Sequence, residues 1–290
     1  MDAFDLEAYL RRIGHAGPVA ADPATLAALV AAHRHAIAFE NFDGLAGRVP
    51  RLDLASLQAK LVGARRGGFC FEQNGLLRAA LERLGFAVQT LEGRVRTGPS
   101  HDTPRTHSAL RVTLDGVAWL ADVGFGALSP GVPMRLEAGE PVAHEGEAWR
   151  LDDAEPDTDG RVEGWLLRTM SDRHWHEVYR LHPRPVGLVD EEMANWYVST
   201  NPQAMLQRNL VVSRPLPGGA RLALLNDRLT VRHAGVKTER RHLASRAEFA
   251  DVLADGFGLD IPDAALDAAL AVVERQRGGS APDPSRDRST

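Results

Sequence analysis

The sequence holds one cysteine, Cys70, among 290 residues, which excludes an internal disulfide and the stapled framework of a small secreted domain. Two roles are left to that thiol, packing or reactivity, and a reducing compartment suits it. No apolar run is long enough to cross a membrane. The opening segment, Met1-Asp2-Ala3-Phe4-Asp5-Leu6-Glu7, is acidic where a secretory leader would be basic. A cytoplasmic protein is expected. An excess of positive charge is missing too. With 34 Lys and Arg against 39 Asp and Glu the net charge is −5, so no general attraction to nucleic acid or an anionic membrane follows. The arginine pairs Arg11-Arg12, Arg65-Arg66 and Arg240-Arg241 lie among acids and read as solvated faces. No internal repeat is found.

What is present is the composition of a globular protein, 44% apolar and 25% charged. The length is large for one core, so two or three small lobes are expected. The first stretch has helical periodicity. Leu6, Leu10 and Ile13 share a face that Gly14 ends. Asp22-Pro23 opens a second helix with Leu26, Leu29, Val30, His33 and Ile37 inward. Asp53 can cap a third carrying Leu54, Leu57 and Leu61, and a fourth runs from Cys70 to Leu84 with Leu77, Leu81 and Leu84 inward. After Gly85 the period becomes two. Strands are expected over Val88 to Thr97, His107 to Leu114, Val117 to Val123, Glu147 to Leu151, Val162 to Thr169 and Trp175 to Leu181, separated by turn-formers such as Asp115-Gly116.

Beyond Pro185 the pattern is mixed. A short helix is expected over Asp190 to Tyr197 and strands over Leu210 to Leu216, Arg221 to Leu225 and Leu229 to His233. Two helices follow, from Ser245 to Gly256 with a Ser-x-x-Glu start and from Asp263 to Gln276. The expected fold class is α+β in three lobes: a helical bundle (1–85), an antiparallel β-barrel (86–185) and an α/β lid (186–277). Residues 278–290, polar and without period, are expected to form a disordered tail.

Cys70 stands in Arg65-Arg66-Gly67-Gly68-Phe69-Cys70-Phe71-Glu72-Gln73-Asn74, where a glycine-ended loop turns into a helix. The unpaired N–H groups and dipole of a helix start stabilise a thiolate. The alternative is a small buried apolar side chain. A catalytic thiol needs a base within reach and a third group to orient that base. Among 11 histidines, His174 and His176 share one strand face, but a metal site needs three or four ligands and no further one is near in sequence. His107 has a candidate acid in its own hairpin. If Asp115-Gly116 is a two-residue type I′ turn, Leu114 faces Val117, His107 faces Gly124, and Asp122 is a diagonal neighbour on the same side. An aspartate on one ring nitrogen fixes the tautomer while the other nitrogen meets the thiol. A purely structural His–Asp pair on a barrel face is the alternative.

These residues resemble the arylamine N-acetyltransferase family. Tyr9-Leu10-x-Arg12-Ile13-Gly14, Ile37-Ala38-Phe39-Glu40-Asn41, Arg66-Gly67-Gly68-Phe69-Cys70-Phe71-Glu72-x-Asn74, Thr106-His107, Asp122-Val123-Gly124-Phe125-Gly126 and Trp196-Tyr197-Val198-Ser199-Thr200-Asn201-Pro202 match its blocks in order, across residues 4 to 275. The resemblance implies a cysteine-protease-like triad of Cys70, His107 and Asp122. It also implies a structural ion pair of Glu40 with Arg66, acceptor-pocket contacts from Phe39, Val95 and Phe125, and coenzyme A contacts at Thr103 and Tyr197. No metal or bound cofactor is implied, and acetyl-CoA is a cosubstrate. The chain departs from the family at Ala38, where proline is usual, at Phe69, and at Ala127-Leu128-Ser129, where some mammalian members carry Arg and Tyr. Such an enzyme passes an acetyl group through an acetyl-cysteine to a small aromatic amine or hydrazine, as in xenobiotic metabolism. An amide synthase closing a macrolactam, a cysteine-protease-like or transglutaminase-like acyl transferase, and a binding module on a degenerate enzyme fold stay open at this point.

Overall fold

The structure, a computed structural model, describes residues 4–98, 103–154, 164–171, 173–233 and 238–279. The chain opens with helices α1 (Leu6–Ile13) and α2 (Pro23–Ala36), a short strand β1 (Phe39–Glu40), and helices α3 (Phe42–Leu45), α4 (Leu54–Leu57) and α5 (Cys70–Arg83). Three of the starts are capped by aspartate. Asp5, Asp22 and Asp53 accept from the backbone N–H of Ala8, Thr25 and Ser56 at 2.9, 2.7 and 3.0 Å, each cap contributing about 1 kcal/mol.

Two of the expected inward faces are corrected. In α1 the buried residues are Tyr9, Arg12 and Ile13, with Leu6 and Leu10 only half-buried. Arg12 is not on a solvated face. Its guanidinium donates to the carbonyls of Leu61, Ala36 and Arg65 at 2.9, 2.8 and 3.4 Å, which satisfies the charge inside the bundle. In α4 the expected Leu54 is exposed while Leu57 is buried. Helix α5 carries no single stripe. From Cys70 to Leu77 it is buried at every position, because it lies between the other helices and a sheet.

That sheet has eight strands: β2 (Ala87–Val95), β3 (Arg105–Leu114), β4 (Val117–Ala121), β5 (Met134–Arg135), β6 (Val142–His144), β7 (Glu147–Asp153), β8 (Trp165–Ser171) and β9 (His174–Val186). Their order is β5-β4-β3-β2-β9-β8-β7-β6, with every neighbour antiparallel, and the sheet curls into a nearly closed barrel. Leu91, Leu120, Trp149, Leu167 and Leu181 fill its inside. Strand alternation then separates two cores. Leu110, Val112 and Leu114 of β3 pack outward against the helices, while Ala109 faces the barrel. His107 has the parity of Ala109.

After the barrel come α6 (Leu188–Thr200), α7 (Met205–Arg208), strands β10 (Val211–Pro215), β11 (Arg221–Leu225), β12 (Arg228–Arg232) and β13 (Thr238–His242), and helices α8 (Arg246–Asp251) and α9 (Asp263–Gly279). The second sheet runs β1-β10-β11-β12-β13. Strand β1 therefore leaves the N-terminal helices and pairs with β10, Phe39 opposite Ser213 and Glu40 opposite Val212. The sequence reading contains no β13, because Thr-Glu-Arg-Arg-His is an exposed edge held by hydrogen bonds alone and has no apolar alternation to read. Helix α9 continues through Gly278 and Gly279, two residues into the expected tail, and residues 280–290 lie outside the described residues, as does the expected strand start at Val162. Among the described residues no helix is long and apolar enough to cross a membrane.

Candidate active site

Cys70 is the first residue of α5, and the loop before it is held backbone to backbone. Gly68 N–H donates to the Ala38 carbonyl at 3.3 Å, and Glu40 N–H donates to the Gly68 carbonyl at 3.2 Å. A buried set of charges fixes the turn from below. Arg66 donates to Glu40 Oε1 through both Nε and Nη2, at 2.9 and 2.6 Å, so the expected ion pair is present and Arg66 does not lie on a solvated face. Glu72 accepts from Phe69 N–H at 3.2 Å and from Lys60 Nζ at 2.6 Å. Burial pushes the Glu72 carboxyl up to about 7 against the opposing pull of Lys60. Buried charges of this kind cost desolvation and are tolerated because each is paired.

One helical turn along, Asn74 is on the same face of α5 as Cys70. Its amide donates to Asp122 Oδ1 at 2.9 Å and to the Ser108 carbonyl at 2.7 Å, and its oxygen accepts from Val123 N–H at 3.1 Å. Asp122 also accepts from Gly124 N–H at 2.8 Å, and its Oδ2 is 2.9 Å from His107 Nε2. The other ring nitrogen, Nδ1, is left free of Asp122, and Cys70, whose Sγ donates to the Thr106 carbonyl at 3.7 Å, lies close enough to His107 to raise its pKa. The hairpin explains the approach. Asp115 and Gly116 both have positive φ, 49° and 78°, and the β3–β4 pairing runs from Leu114–Val117 to Leu110–Ala121. The ladder stops there, one pair short of Asp122, which bends under His107. On the other side of β3 a bulge at Thr106 interrupts the pairing with β2 just before His107.

The pair is almost wholly buried. His107 is 2% exposed, the ring of Phe125 meets it edge-on at 4.8 Å, and the ring of Tyr179 is tilted over it at 4.5 Å. Burial pushes the imidazolium pKa down, but the Asp122 carboxylate and Cys70 outweigh that and lift it to about 9. For Asp122 burial raises the pKa, yet His107, Asn74 and Gly124 N–H together hold it below the usual carboxylate range. At neutral pH the site therefore holds an imidazolium between the Asp122 carboxylate and the Cys70 sulfur. Gly124 makes the close approach possible. A Cβ there would stand 2.6 Å from Cys70 Cα and 2.7 Å from Asn74 Nδ2. Gly124→Ala is expected to displace Cys70 from His107 and lower kcat/KM by about a hundredfold, as a misplacement near 1 Å does. Initial rates set against wild type test this, and a change under twofold contradicts it.

Cys70 and His107 open onto a cleft of about 400 Å³, within the roughly 300–1,000 Å³ of small-molecule sites. Phe39, Val95, Phe125, Thr103 and Tyr197 all line it, so seven of the eight residues expected in the triad, the acceptor pocket or the coenzyme A contacts face one space. The eighth, Asp122, is buried behind His107. Val198 of α6, Leu206 of α7, and Val211 and Ser213 of β10 also line the cleft and have no site role in the sequence reading. Asn74 is quoted there without a role; its four-residue spacing from Cys70 was the available signal. Val211 and Ser213 gave none, since they reach the cleft only through the distant pairing of β10 with β1. The strand carrying His174 and His176 borders a separate open hollow with Arg96, Trp175 and Glu177, and among the described residues no cluster of three or more His, Cys, Asp or Glu is placed to hold a metal.

A family model described as N-acetyltransferase matches residues 22–266. The chain is 39% identical to the arylamine N-acetyltransferase of Mycolicibacterium smegmatis, over 94% of this chain and 98% of that one. It is 38% identical to the arylamine N-acetyltransferase of Mycobacterium bovis, over 97% and 100%. Its fold is similar to the solved structure of the Mycobacterium marinum arylamine N-acetyltransferase in complex with CoA, with a TM-score of 0.85 at 35% identity, covering 93% of this chain and 99% of that one.

Proposed function

The chain belongs to the arylamine N-acetyltransferase family, and on that premise we propose that Cys70, His107 and Asp122 carry acetyl groups from acetyl-CoA to aromatic amines. The observation that supports this reading is the His107–Asp122 couple at 2.9 Å, with His107 and Cys70 lining the same apolar cleft. In the first half-reaction the Cys70 sulfur attacks the thioester carbonyl carbon of acetyl-CoA. The carbon–sulfur bond to CoA breaks, and the departing thiolate takes its proton from the His107 imidazolium. The acetyl group stays on Cys70. An arylamine nitrogen then attacks that thioester, its proton passes to His107, and the amide leaves as the thiolate–imidazolium pair is restored.

Backbone N–H groups at the start of α5 are assigned to the oxyanion of both tetrahedral intermediates. Asp122 keeps Nε2 of His107 protonated, so Nδ1 is the nitrogen that exchanges a proton with sulfur, CoA or amine. Phe39, Val95 and Phe125 form a flat apolar seat for the aromatic ring, and arylamines are neutral at pH 7 and enter without shedding a charge. Thr103 and Tyr197, at the cleft wall, are assigned to coenzyme A. In this reading the helical lobe (1–85) brings the nucleophile, the barrel lobe (86–185) brings base and acid, and the third lobe (186–277) closes the cleft through Tyr197, Leu206 and Ser213. None of the similar proteins named above is a protease, a transglutaminase or a macrolactam synthase, and those readings are set aside.

Steady-state kinetics test the cycle. Initial rates measured against acetyl-CoA at several fixed arylamine concentrations are expected to give parallel double-reciprocal lines, with CoA released before any amine is added. Intersecting lines with no CoA release in the absence of amine would exclude an acetyl-enzyme.

A further inference from the structure

The hairpin joining β6 to β7 carries a buried charge whose partners come from the other two parts of the molecule. Glu147, at the start of β7, accepts through Oε2 from Arg34 Nη2 of α2 at 2.5 Å, and through Oε1 it pairs with Arg221 Nη2 at the start of β11. The Glu147 and Arg34 side chains are 4% and 2% exposed and that of Arg221 is 10% exposed. The Arg34 guanidinium also lies over the Trp149 ring, 5.5 Å from its centroid. Two cations against one anion in the interior is an expensive arrangement, and removing the anion would leave two buried guanidiniums unopposed. Burial holds the Arg221 pKa below its ordinary value even with Glu147 beside it.

The second arm of Arg221 points toward the site. Its Nη1 donates to the carbonyl of Ala127 at 2.9 Å. From the neighbouring strand, Ser213 Oγ accepts from Ala127 N–H at 3.0 Å. Within the same turn, Ser129 Oγ accepts from Phe125 N–H at 2.8 Å. The turn that presents Phe125 to the cleft and to His107 is thus held at both polar groups of Ala127, and one of those holds is Arg221. A guanidinium can bond Glu147 and Ala127 at once because its fork projects donors in two directions, whereas a lysine ammonium on its flexible stem does not span both.

We infer that Arg221, braced by Glu147, is a positioning residue for the acceptor wall: it fixes the turn 125–129 and so the seat of the aromatic amine against acetyl-Cys70. This rests on the reading of Phe125 as acceptor wall. Arg34 balances Glu147 but touches nothing in the turn.

The test is Arg221→Lys, which keeps a cation opposite Glu147 and so keeps the fold, judged by a melting temperature within a few degrees of wild type. Its KM for aniline is expected to rise about tenfold, the worth of one lost hydrogen bond, with a smaller effect on the rate of CoA release from acetyl-CoA alone. Arg34→Lys is expected to move neither quantity. Glu147→Gln, if it folds, is expected to show the Arg221→Lys pattern in stronger form. Equal effects of Arg34→Lys and Arg221→Lys, or equal losses in both half-reactions, would overturn the inference. If wild type releases CoA but transfers nothing to aniline, the acceptor reading itself fails; if it transfers and Arg221→Lys matches it, only the positioning role fails.

Discussion

Cys70→Ala is expected to reduce acetyl transfer to aniline by at least about a thousandfold, because the hydroxyl and imidazole groups left in the cleft are poorer carriers of an acetyl group than a cysteine sulfur. His107 is buried behind aromatic rings, and Ser213 has its oxygen committed to Ala127 N–H. Neither replaces a sulfur beside an imidazolium. The variant is expected to fold. Cys70 is small and 6% exposed, and the loop beneath it is held by Glu40, Arg66 and Glu72 rather than by the thiol. Residual turnover above a few per thousand of wild type, in protein free of wild-type carry-over, would contradict the assignment. One further consequence follows from the electrostatics. With the thiol gone, His107 loses one of the groups that raise its pKa and is expected to titrate below its wild-type value.

Asp122→Asn is expected to lower kcat by about ten-thousandfold, the size of effect seen when a triad loses its orienting carboxylate. The amide is nearly isosteric and can still accept from Asn74 and Gly124. Its NH2 would then donate to His107 Nε2, which forces the proton onto Nδ1 and leaves no base facing the sulfur. The pH dependence gives an independent handle. In wild type the imidazolium loses its proton near pH 9, so the rate of CoA release is expected to fall as pH rises through about 9. In Asp122→Asn the largest raising influence is removed while burial remains, so that descending limb is expected to move to lower pH. A limb that stays at wild-type pH in the variant would contradict the electrostatic assignment.

The same couple makes a contribution to stability with a definite sign. His107 has a folded pKa raised above its ordinary 6.5 to about 9, so its contribution is complete below pH 6.5 and is lost as pH rises through about 9. Asp122 has a depressed folded pKa, so its contribution is present above the ordinary value of 3.8 and is lost as pH falls through the folded one. Both are present together between those limits.

The parts legible in the sequence were those written in local signals. Aspartate caps, Pro23, and the Asp115-Gly116 turn each state a local geometry, and the turn sets the register that brings His107 and Asp122 to the same end of the hairpin. The motif around Cys70 marks the start of a helix without any reference to distant contacts. What could not be read was set by long-range pairing. Strand β1 has two residues and no periodicity, yet its pairing with β10 brings Val211 and Ser213 to the cleft. Arg12 and Arg66 look like solvated charge until the carbonyls and the carboxylate that receive them are placed. Arg221 gives no hint in its neighbours that it reaches the carbonyl of Ala127. Asn74 is the intermediate case: its spacing from Cys70 was visible, but not that Asp122 stood opposite.

The most direct measurement is the intact mass of the protein after mixing with acetyl-CoA alone, followed by peptide mapping. One acetyl group on the peptide containing Cys70, lost again when aniline is added and recovered as the anilide, is the expected result. Acetyl-CoA turnover with no adduct on Cys70, or an adduct that persists when aniline is consumed, would contradict an acetyl-cysteine intermediate.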